Sequence, residues 1–306
     1  MKLRQSGFTL IILLAVTLAM IFPQWFIRWG SYETRNLIIP LLQVITFGVG
    51  CTMNLDDFKN LKKMPLTILI GTACQYTIMP LVGFTIAGVF NFPSEIAAGI
   101  ILIGCSPSGM ASNVMTLIAR GNLALSVSIT TVATLLSPLL TPLLMKLLGG
   151  TYIELNFWKM FFDIIKILIV PIGLGLAFHY IFRKWAVQLK RIMPGISMTG
   201  IALIIVVITA AGRDSLLSVG FLLILAMFLH MTVGFGLGYA VSRMLRLSEA
   251  DSRTIALEVG MQNGGLASGI AASMGKIATL GLAAAVNGPL MNTVFSVIAS
   301  WWGKKE

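Results

Sequence analysis

Charged residues are scarce in this chain. Aspartate, glutamate, lysine and arginine together make up 11% of its 306 residues, and only 11 residues are acidic. A soluble domain carries about 25% charged residues, so this chain cannot cover a water-facing surface, and a soluble globular protein is excluded. The hydrophobic residues, 57% of the chain, instead form apolar stretches almost from end to end. A membrane span needs about 20 such residues, so the composition predicts a membrane protein.

Cysteine and histidine are also rare, which limits the metal and disulfide chemistry available. The chain has three cysteines in apolar contexts, without a CxxC pair, and two histidines. This pattern excludes a disulfide framework and lacks the spacing of a zinc site. The net charge of +11 does not indicate nucleic-acid binding, because the basic residues lie in short gaps between apolar runs rather than on one face.

The apolar runs predict ten transmembrane helices. We place them at residues 7–29, 36–53, 65–90, 94–118, 123–148, 157–182, 194–211, 216–243, 252–275 and 277–301. With the N-terminus in the cytoplasm, the inside segments carry 15 lysine and arginine residues and the outside segments carry 6. This excess follows the positive-inside rule. It predicts that both termini are cytoplasmic, which requires an even number of spans.

The two halves of the chain resemble each other. Gly109-Met110-Ala111-Ser112 in span four matches Gly265-Leu266-Ala267-Ser268 in span nine, and Ser137-Pro138-Leu139 matches Gly288-Pro289-Leu290. Five spans separate a segment from its copy, so the second copy is inverted across the membrane. Inverted repeats with glycine-interrupted helices in matching positions are typical of secondary transporters, whose sites lie near the midplane.

One acidic residue, Glu258, lies deep inside a predicted span. A carboxylate at that depth is costly unless it is paired, and it indicates a functional site by default. Gln262 lies on the same helical face four residues later. Asn263 and the pair Gly264-Gly265 follow, where the helix can unwind and free its carbonyl groups.

Span four carries the matching interruption. Residues 104–113 read GCSPSGMASN, in which Pro107 removes a backbone donor and breaks the helix. Irregular backbone at membrane depth is tolerated only where it lines a cavity or is buried in protein. Neutral side-chain oxygens lie in this and neighbouring spans, at Gln75, Ser112, Asn113, Ser126, Ser128 and Thr130. One carboxylate among neutral oxygens suits a hard monovalent cation better than a transition metal. Asn287 is either a polar contact between helices or part of the cavity.

These motifs resemble those of the bile acid:sodium symporter family, over residues 7–301. Residues 104–113 are similar to the family's GCCPGGTASN, and the second motif is EVGMQN at 258–263. Gln75 and the turn at 119–122 agree as well. The chain is therefore identified as a bacterial member of this family. The resemblance implies a transporter of the bacterial inner membrane, not an enzyme, that couples sodium to the uptake of an organic anion by alternating access.

The resemblance also implies an all-α fold of ten helices in two domains. A panel would comprise residues 1–60 and 151–213, with spans one, two, six and seven. A core would comprise residues 61–150 and 214–306, with spans three to five and eight to ten. The broken spans four and nine would cross inside the core.

The residues that match the family's motifs imply two sodium sites and a substrate site. The first sodium site would use Ser112, Asn113, Ser126, Thr130 and Glu258. The second would use Gln75, Glu258, Gln262 and the backbone carbonyls of Val259 and Met261. Met110, Asn263 and Asn292 would face the substrate.

Three residues of the first motif depart from the family pattern. Ser106, Ser108 and Met110 stand where the family has Cys, Gly and Thr, and the family's His-Asn pair in the last span reads Met291-Asn292. The departures leave the implied sodium ligands in place and alter the region where the substrate is expected.

Three other functions fit the sequence less well. A proton-coupled antiporter would need titrating aspartates at the crossing, where the sequence has none. A metalloid or organic-anion exporter of the same superfamily could use Cys105, but GCSPSGMASN fits the symporters better. An intramembrane enzyme lacks support, because the chain has no Gly-x-Ser-Gly motif, no HExxH motif and no intramembrane aspartate pair.

Overall fold

Long apolar helices account for most of the part of the chain that the structure describes. The computed structural model describes residues 14–53 and 63–304. Its first helical segment, α1, covers residues 14–21 and stops before Pro23. A short helix α2 (Gln24–Ile27) follows, and then a hairpin in which β1 (Arg28–Trp29) pairs with β2 (Tyr32–Glu33) in antiparallel fashion. The helix of the first predicted span thus ends well before residue 29, and its predicted start lies outside the described residues.

The remaining helices follow one another with short connections. They are α3 (Ile38–Thr52), α4 (Pro65–Val89), α5 (Ser94–Cys105), α6 (Ala111–Ile118), α7 (Leu123–Leu148), α8 (Phe157–Ile164), α9 (Val170–Ile181), α10 (Arg183–Ala211), α11 (Arg213–Met244), α12 (Glu249–Gly260), α13 (Gly264–Ser273) and α14 (Leu282–Lys304). One 3-10 turn (Thr34–Leu37) leads into α3, another (Gly149–Thr151) follows α7, and a π-helical turn (Ile165–Ile169) joins α8 to α9.

Seven helices in the described ranges are long and apolar enough to cross a membrane. They cover Thr34–Thr52, Pro65–Val89, Leu123–Thr151, Phe157–Ile181, Arg183–Ala211, Arg213–Met244 and Leu282–Lys304. Each of them overlaps one of the predicted spans. The chain is therefore a helical membrane protein with several spans, as its composition predicts.

Two predicted spans, four and nine, are each divided into two short helices. Span four consists of α5 and α6, of 12 and 8 residues, and span nine consists of α12 and α13, of 12 and 10 residues. None of these half-helices alone reaches the roughly 20 residues needed to span a bilayer. The predicted interruption at Pro107 falls in the break between α5 and α6, whereas the break in span nine lies at residues 261–263, just before Gly264-Gly265, which begin α13.

Two helix starts differ from the sequence prediction by more than three residues. Helix α10 begins at Arg183 rather than at residue 194, and α14 begins at Leu282 rather than at 277. The prediction for α10 was wrong because it followed the apolar run, whereas the basic segment before it continues the same helix. Residues 274–281 form turns before α14.

Two of the half-helices, α5 and α12, lie in the interior of the molecule. Every residue of α5 from Ile96 to Cys105 is buried, as expected for a helix that is apolar on all sides. Helix α12 is also buried from Ser252 to Gly260, although it carries Arg253, Thr254 and Glu258. Buried polar groups need partners inside the protein, so the surroundings of α12 must supply them.

Polar contacts tie the outer ends of the half-helices together. At the end that carries the start of α5, Glu95 receives the Lys276 ammonium group and the Thr279 hydroxyl, which follow α13. At the opposite end, the Asn122 amide that follows α6 donates to Asp251 Oδ1 of α12 at 2.8 Å. Each half-helix of one broken pair is thus fastened to a half-helix of the other.

Arg253 adds a second contact at the α12 end. Its Nε donates to Glu249 Oε1 at 2.9 Å, and its Nη1 donates to the carbonyl of Ala119 at 3.3 Å, just after α6. The guanidinium group also lies 5.6 Å from the centre of the Trp302 ring of α14. A cation beside the last carbonyl groups of a helix is favoured by the helix dipole, so Arg253 stabilises this end of the crossing.

Outside the centre, α3 packs closely against α9 through glycines. A Cβ atom at Gly175 would overlap the carbonyl oxygen of Phe47, and one at Gly50 would overlap the carbonyl of Ile172. Small residues allow membrane helices to approach to this distance. By contrast, a Cβ at Gly173, two residues before Gly175, would meet nothing within 4 Å.

We predict that Gly175→Ala destabilises the protein and that Gly173→Ala does not. The added methyl group at 175 forces the two backbones apart, and overpacking of this kind costs about 1–3 kcal/mol. At 173 the same change enters open space and gains up to about 1 kcal/mol of helix propensity. Thermal denaturation in detergent measures both, and equal melting temperatures for the two variants would contradict the close α3–α9 contact.

Candidate functional site

The two helix breaks meet and satisfy each other's backbone groups. Helix α5 ends at Cys105 because Pro107 offers no backbone N–H, and α12 ends at Gly260, after which Met261 is extended. The N–H of Gly109 donates to the Met261 carbonyl, and the N–H of Asn263 donates to the Pro107 carbonyl, each at 2.9 Å. Ser108 and Gln262 thereby form an isolated antiparallel bridge. Irregular backbone at membrane depth is thus buried in protein and paired.

Gly109 is required where the two segments cross. A Cβ atom at this position would lie 2.9 Å from the carbonyl oxygen of Gln262, which is backbone and cannot rotate away. The glycine of the first motif therefore permits the close approach of the second motif. The same approach brings the side chains of α12 next to those of α6 and α7.

The carboxylate of Glu258 lies in this crossing and is completely buried. Its Oε1 receives hydroxyl contacts from Ser112 at 2.6 Å and Ser126 at 2.5 Å. Its Oε2 receives contacts from Ser108 at 2.7 Å and Thr130 at 2.8 Å. No lysine or arginine of the described chain forms an ion pair with this carboxylate. A buried charge needs pairing and hydrogen bonds, and here four neutral hydroxyl groups supply all of the direct contacts.

The oxygen atoms around Glu258 outnumber the hydrogens that could join them. Ser126 Oγ also lies 2.7 Å from Asn113 Oδ1, Thr130 Oγ1 lies 3.4 Å from the same atom, and Ser112 Oγ lies 2.8 Å from the Gly109 carbonyl. The four hydroxyls therefore make seven oxygen–oxygen contacts, and each hydroxyl has only one hydrogen to donate. Such a cluster, rich in oxygen and poor in hydrogen, suits a hard cation that prefers carboxylate, carbonyl and hydroxyl ligands.

A second polar group lies on the other side of the bridge. Gln75 of α4 and Gln262 face each other, with Gln75 Nε2 donating to Gln262 Oε1 at 2.7 Å and to the Ser106 carbonyl at 2.9 Å. Gln262 Nε2 donates to the Val259 carbonyl at 2.6 Å. Hydrogen bonds thus join Gln75, Gln262 and the Val259 carbonyl of the second predicted site at one end of α12. Glu258, its fourth residue, precedes Val259 in α12, and its carboxylate contacts the four hydroxyls instead. The carbonyl of Met261, the fifth, accepts from Gly109 and retains a second lone pair.

The three residues predicted to face the substrate are less closely assembled. Met110 is 40% exposed, and Asn292 is exposed and donates to the Gly288 carbonyl of its own helix. Asn263 is half-buried, and its Oδ1 accepts from the Leu266 N–H at the start of α13. Within the described ranges, no hydrogen bond joins the three side chains. Helix α6, which begins after Met110, nevertheless packs against α14, which carries Asn292.

Ser108 is the site residue that the sequence reasoning missed. The sequence identifies it as a departure from the family pattern and not as a sodium ligand, yet its side chain is buried and contacts the carboxylate. Its place directly after the helix-breaking Pro107, in the segment that crosses span nine, is the signal that could have identified it.

Asn287 proves to be fully buried, with its Nδ2 3.5 Å from Met291 Sδ and with no partner for its Oδ1 in the described chain.

Comparison with known proteins gives a consistent set of relatives. The model of the sodium bile acid symporter family matches residues 39–219. The chain is 37% identical to an uncharacterized sodium-dependent transporter of Bacillus subtilis over 285 residues, which cover 93% of this chain and 87% of that protein. It is 33% identical to a probable sodium/metabolite cotransporter of Arabidopsis thaliana chloroplasts over 84% of this chain, which spans 63% of that longer protein. It is 31% identical to the human ileal sodium/bile acid cotransporter over 78% of this chain and 70% of that protein.

We predict that Ser126→Ala destabilises the sodium-free protein more than Ser128→Ala does. Both serines are buried in α7, but Ser126 contacts Glu258 and Asn113, whereas Ser128 donates only to the Ala124 carbonyl of its own helix. Removing a hydrogen bond to a charged group costs about 1.5–3 kcal/mol. Thermal denaturation with choline in place of sodium measures the difference. An equal loss of stability in the two variants would show that Ser126 does not support the carboxylate.

Proposed function

The chain belongs to the sodium bile acid symporter family, and we propose that it carries an organic anion across the membrane in symport with sodium. The family and the similar proteins named above are transporters rather than enzymes. The observation that carries this proposal is the buried carboxylate of Glu258 among oxygen atoms that lack enough hydrogens to bond one another. A cation that binds there is transported as a substrate and is no resident cofactor.

We propose two sodium sites that share this carboxylate. The first uses Ser112, Asn113, Ser126, Thr130 and Glu258, whose oxygens cluster around the carboxylate. The second uses Gln75, Glu258, Gln262 and the carbonyls of Val259 and Met261 at the broken end of α12. Sodium in the first site would coordinate the oxygen atoms that have no hydrogen between them. The negative charge of Glu258 would offset one of the two positive charges.

The charges at the crossing favour an anion as the second substrate. Two sodium ions and one carboxylate leave one positive charge in a low-dielectric surrounding, which is costly there. A monoanionic substrate removes it. Within the described residues no lysine or arginine forms an ion pair with Glu258, so bound sodium and the N-terminal ends of α6 and α13 supply the field that attracts the anion.

The substrate class follows from the relatives and from the residues at the crossing. The names of two relatives give bile acid and metabolite as their cargo. Met110, Asn263 and Asn292 offer one apolar and two amide side chains near the break in span four and on α14. We propose a bile acid-like anion or a smaller carboxylate, whose carboxyl group lies near the sodium ions.

The transport mechanism that fits this arrangement is alternating access between two domains. Ten spans, formed by two inverted five-helix repeats, would place a panel at residues 1–60 and 151–213 and a core at 61–150 and 214–306. The paired breaks of α5–α6 and α12–α13, and the contacts that fasten their outer ends, support a core that moves as one body. The protein would lie in the bacterial cell membrane with both termini in the cytoplasm, because the basic residues concentrate in the segments on that side.

Uptake into proteoliposomes tests this function. We predict that an inward sodium gradient drives accumulation of a bile acid or a small carboxylate, that an equal potassium gradient does not, and that the neutral amide analogue is not accumulated. Glu258→Gln removes the charge that binds sodium and should abolish the sodium-driven component. Asp214→Asn is the matched control, because Asp214 is an exposed acid paired only with Arg213. Sodium-independent uptake, or no uptake of any organic anion, would contradict the proposal.

A further inference from the structure

The hydroxyl of Ser108 differs from the other three that contact Glu258. Ser112, Ser126 and Thr130 each face two acceptor oxygens with a single hydrogen. Ser108 Oγ faces one acceptor, Glu258 Oε2 at 2.7 Å, in the described part of the chain. Its hydrogen is therefore committed to the carboxylate, whereas the hydrogens of the other three are shared between the carboxylate and a second oxygen.

Ser108 also approaches the carboxylate from a different element. Ser112 belongs to α6, and Ser126 and Thr130 belong to α7, whereas Ser108 lies in the extended segment between α5 and α6. Its backbone is bridged to Gln262, a residue of the second proposed sodium site. The side chain is 1% exposed and is held by this bridge, so its donor position is fixed by the crossing itself.

The neighbouring serine provides a contrast. Ser106 is the other serine that departs from the family pattern in this segment, and it is also fully buried. Its hydroxyl donates to the Leu102 carbonyl of its own helix at 2.8 Å and does not contact the carboxylate. Of the two hydroxyls that the family pattern lacks, only that of Ser108 contacts Glu258.

We propose that Ser108 is a positioning residue that stabilises the ionised carboxylate of Glu258 when sodium is absent, and that it thereby lowers the affinity of the chain for sodium. This inference rests on the proposed sodium symport. A hydroxyl that donates to a bare carboxylate forms a stronger bond than one that donates to a carboxylate already bound to a cation, because the cation withdraws the negative charge. The Ser108 hydrogen bond therefore favours the sodium-free state over the loaded state.

This role has a place in the transport cycle. After sodium and substrate leave, a symporter must return with its binding residues empty, and the charge of Glu258 then has no cation to balance it. Four hydroxyls satisfy the two carboxylate oxygens in that state, and the Ser108 hydroxyl is the one with no other acceptor. A carrier whose sodium-free carboxylate is stabilised by hydrogen bonds releases sodium more readily.

A sodium titration of thermal stability tests this inference. The melting temperature of the purified full-length chain is recorded against sodium concentration, with choline holding the ionic strength constant. The midpoint, taken as the sodium dissociation constant fitted to the rise in melting temperature, should fall by up to about ten- to a hundred-fold in Ser108→Ala, the factor expected when a hydrogen bond to a charged group is lost from the unbound state alone. Ser106→Ala should keep the midpoint of the unsubstituted protein.

The direction of the change separates this role from a structural one. A variant that merely disturbs the crossing would bind sodium more weakly, so an unchanged or higher midpoint in Ser108→Ala would overturn the inference. Ser108→Gly, which restores the family pattern at this position, is the second variant if the alanine variant does not fold, and it should give the same lower midpoint. If the unsubstituted protein shows no sodium-specific stabilisation relative to potassium, the proposed symport itself fails.

Discussion

The structure depends on one constraint, the burial of the Glu258 carboxylate inside a helical membrane protein with no basic partner among the described residues. An isolated ion in such a surrounding costs several kcal/mol or more. Glu258 avoids part of this cost through four hydroxyl contacts that reach it from three elements. Several pairs of contacting oxygen atoms around Glu258 have no hydrogen to bond them. A bound cation would therefore stabilise this group of oxygens better than the hydroxyls alone do.

The broken helices follow from this constraint. A continuous helix would consume its own carbonyl and N–H groups and would hold neighbouring backbones about 8–10 Å apart. Because the breaks in spans four and nine lie side by side, Pro107 bonds with Asn263 and Gly109 bonds with Met261. The two irregular segments thus pair each other's backbone groups. The polar contacts of Glu95 and Asn122 at the outer ends then hold the half-helices in position. The breaks bring together the residues of the proposed sodium sites, and these contacts tie the half-helices to one another at their outer ends.

Much of this arrangement could be predicted from the sequence, because the signals are local. An acid inside an apolar run, a proline in a second run and paired glycines identify Glu258 and both breaks. Helical spacing places Ser126 and Thr130 on one face of α7, where both contact the carboxylate. The family pattern brought Ser112, Asn113, Gln75 and Gln262 into the same group, and the structure gathers these residues around α12.

The features that escaped prediction depend on long-range contacts or on helices that continue beyond an apolar run. Ser108 contacts Glu258, 150 positions away, because its backbone forms a bridge with Gln262, and no local pattern encodes that register. The hairpin at Arg28–Glu33 and the early start of α10 at Arg183 lie where hydropathy is low, so a pattern based on apolar runs does not register them. The spacing of Met110, Asn263 and Asn292, which are predicted to face the substrate, also does not show which residues each of them contacts.

Equilibrium binding of radioactive sodium to the purified protein tests the central claim most directly. Because both proposed sites share the carboxylate of Glu258, the account predicts two sodium ions per chain in the unsubstituted protein and none in Glu258→Gln over the same concentration range. One sodium ion per chain retained by Glu258→Gln with unchanged affinity would contradict it, because that site would then not use the carboxylate on which the rest of the structure is argued to depend.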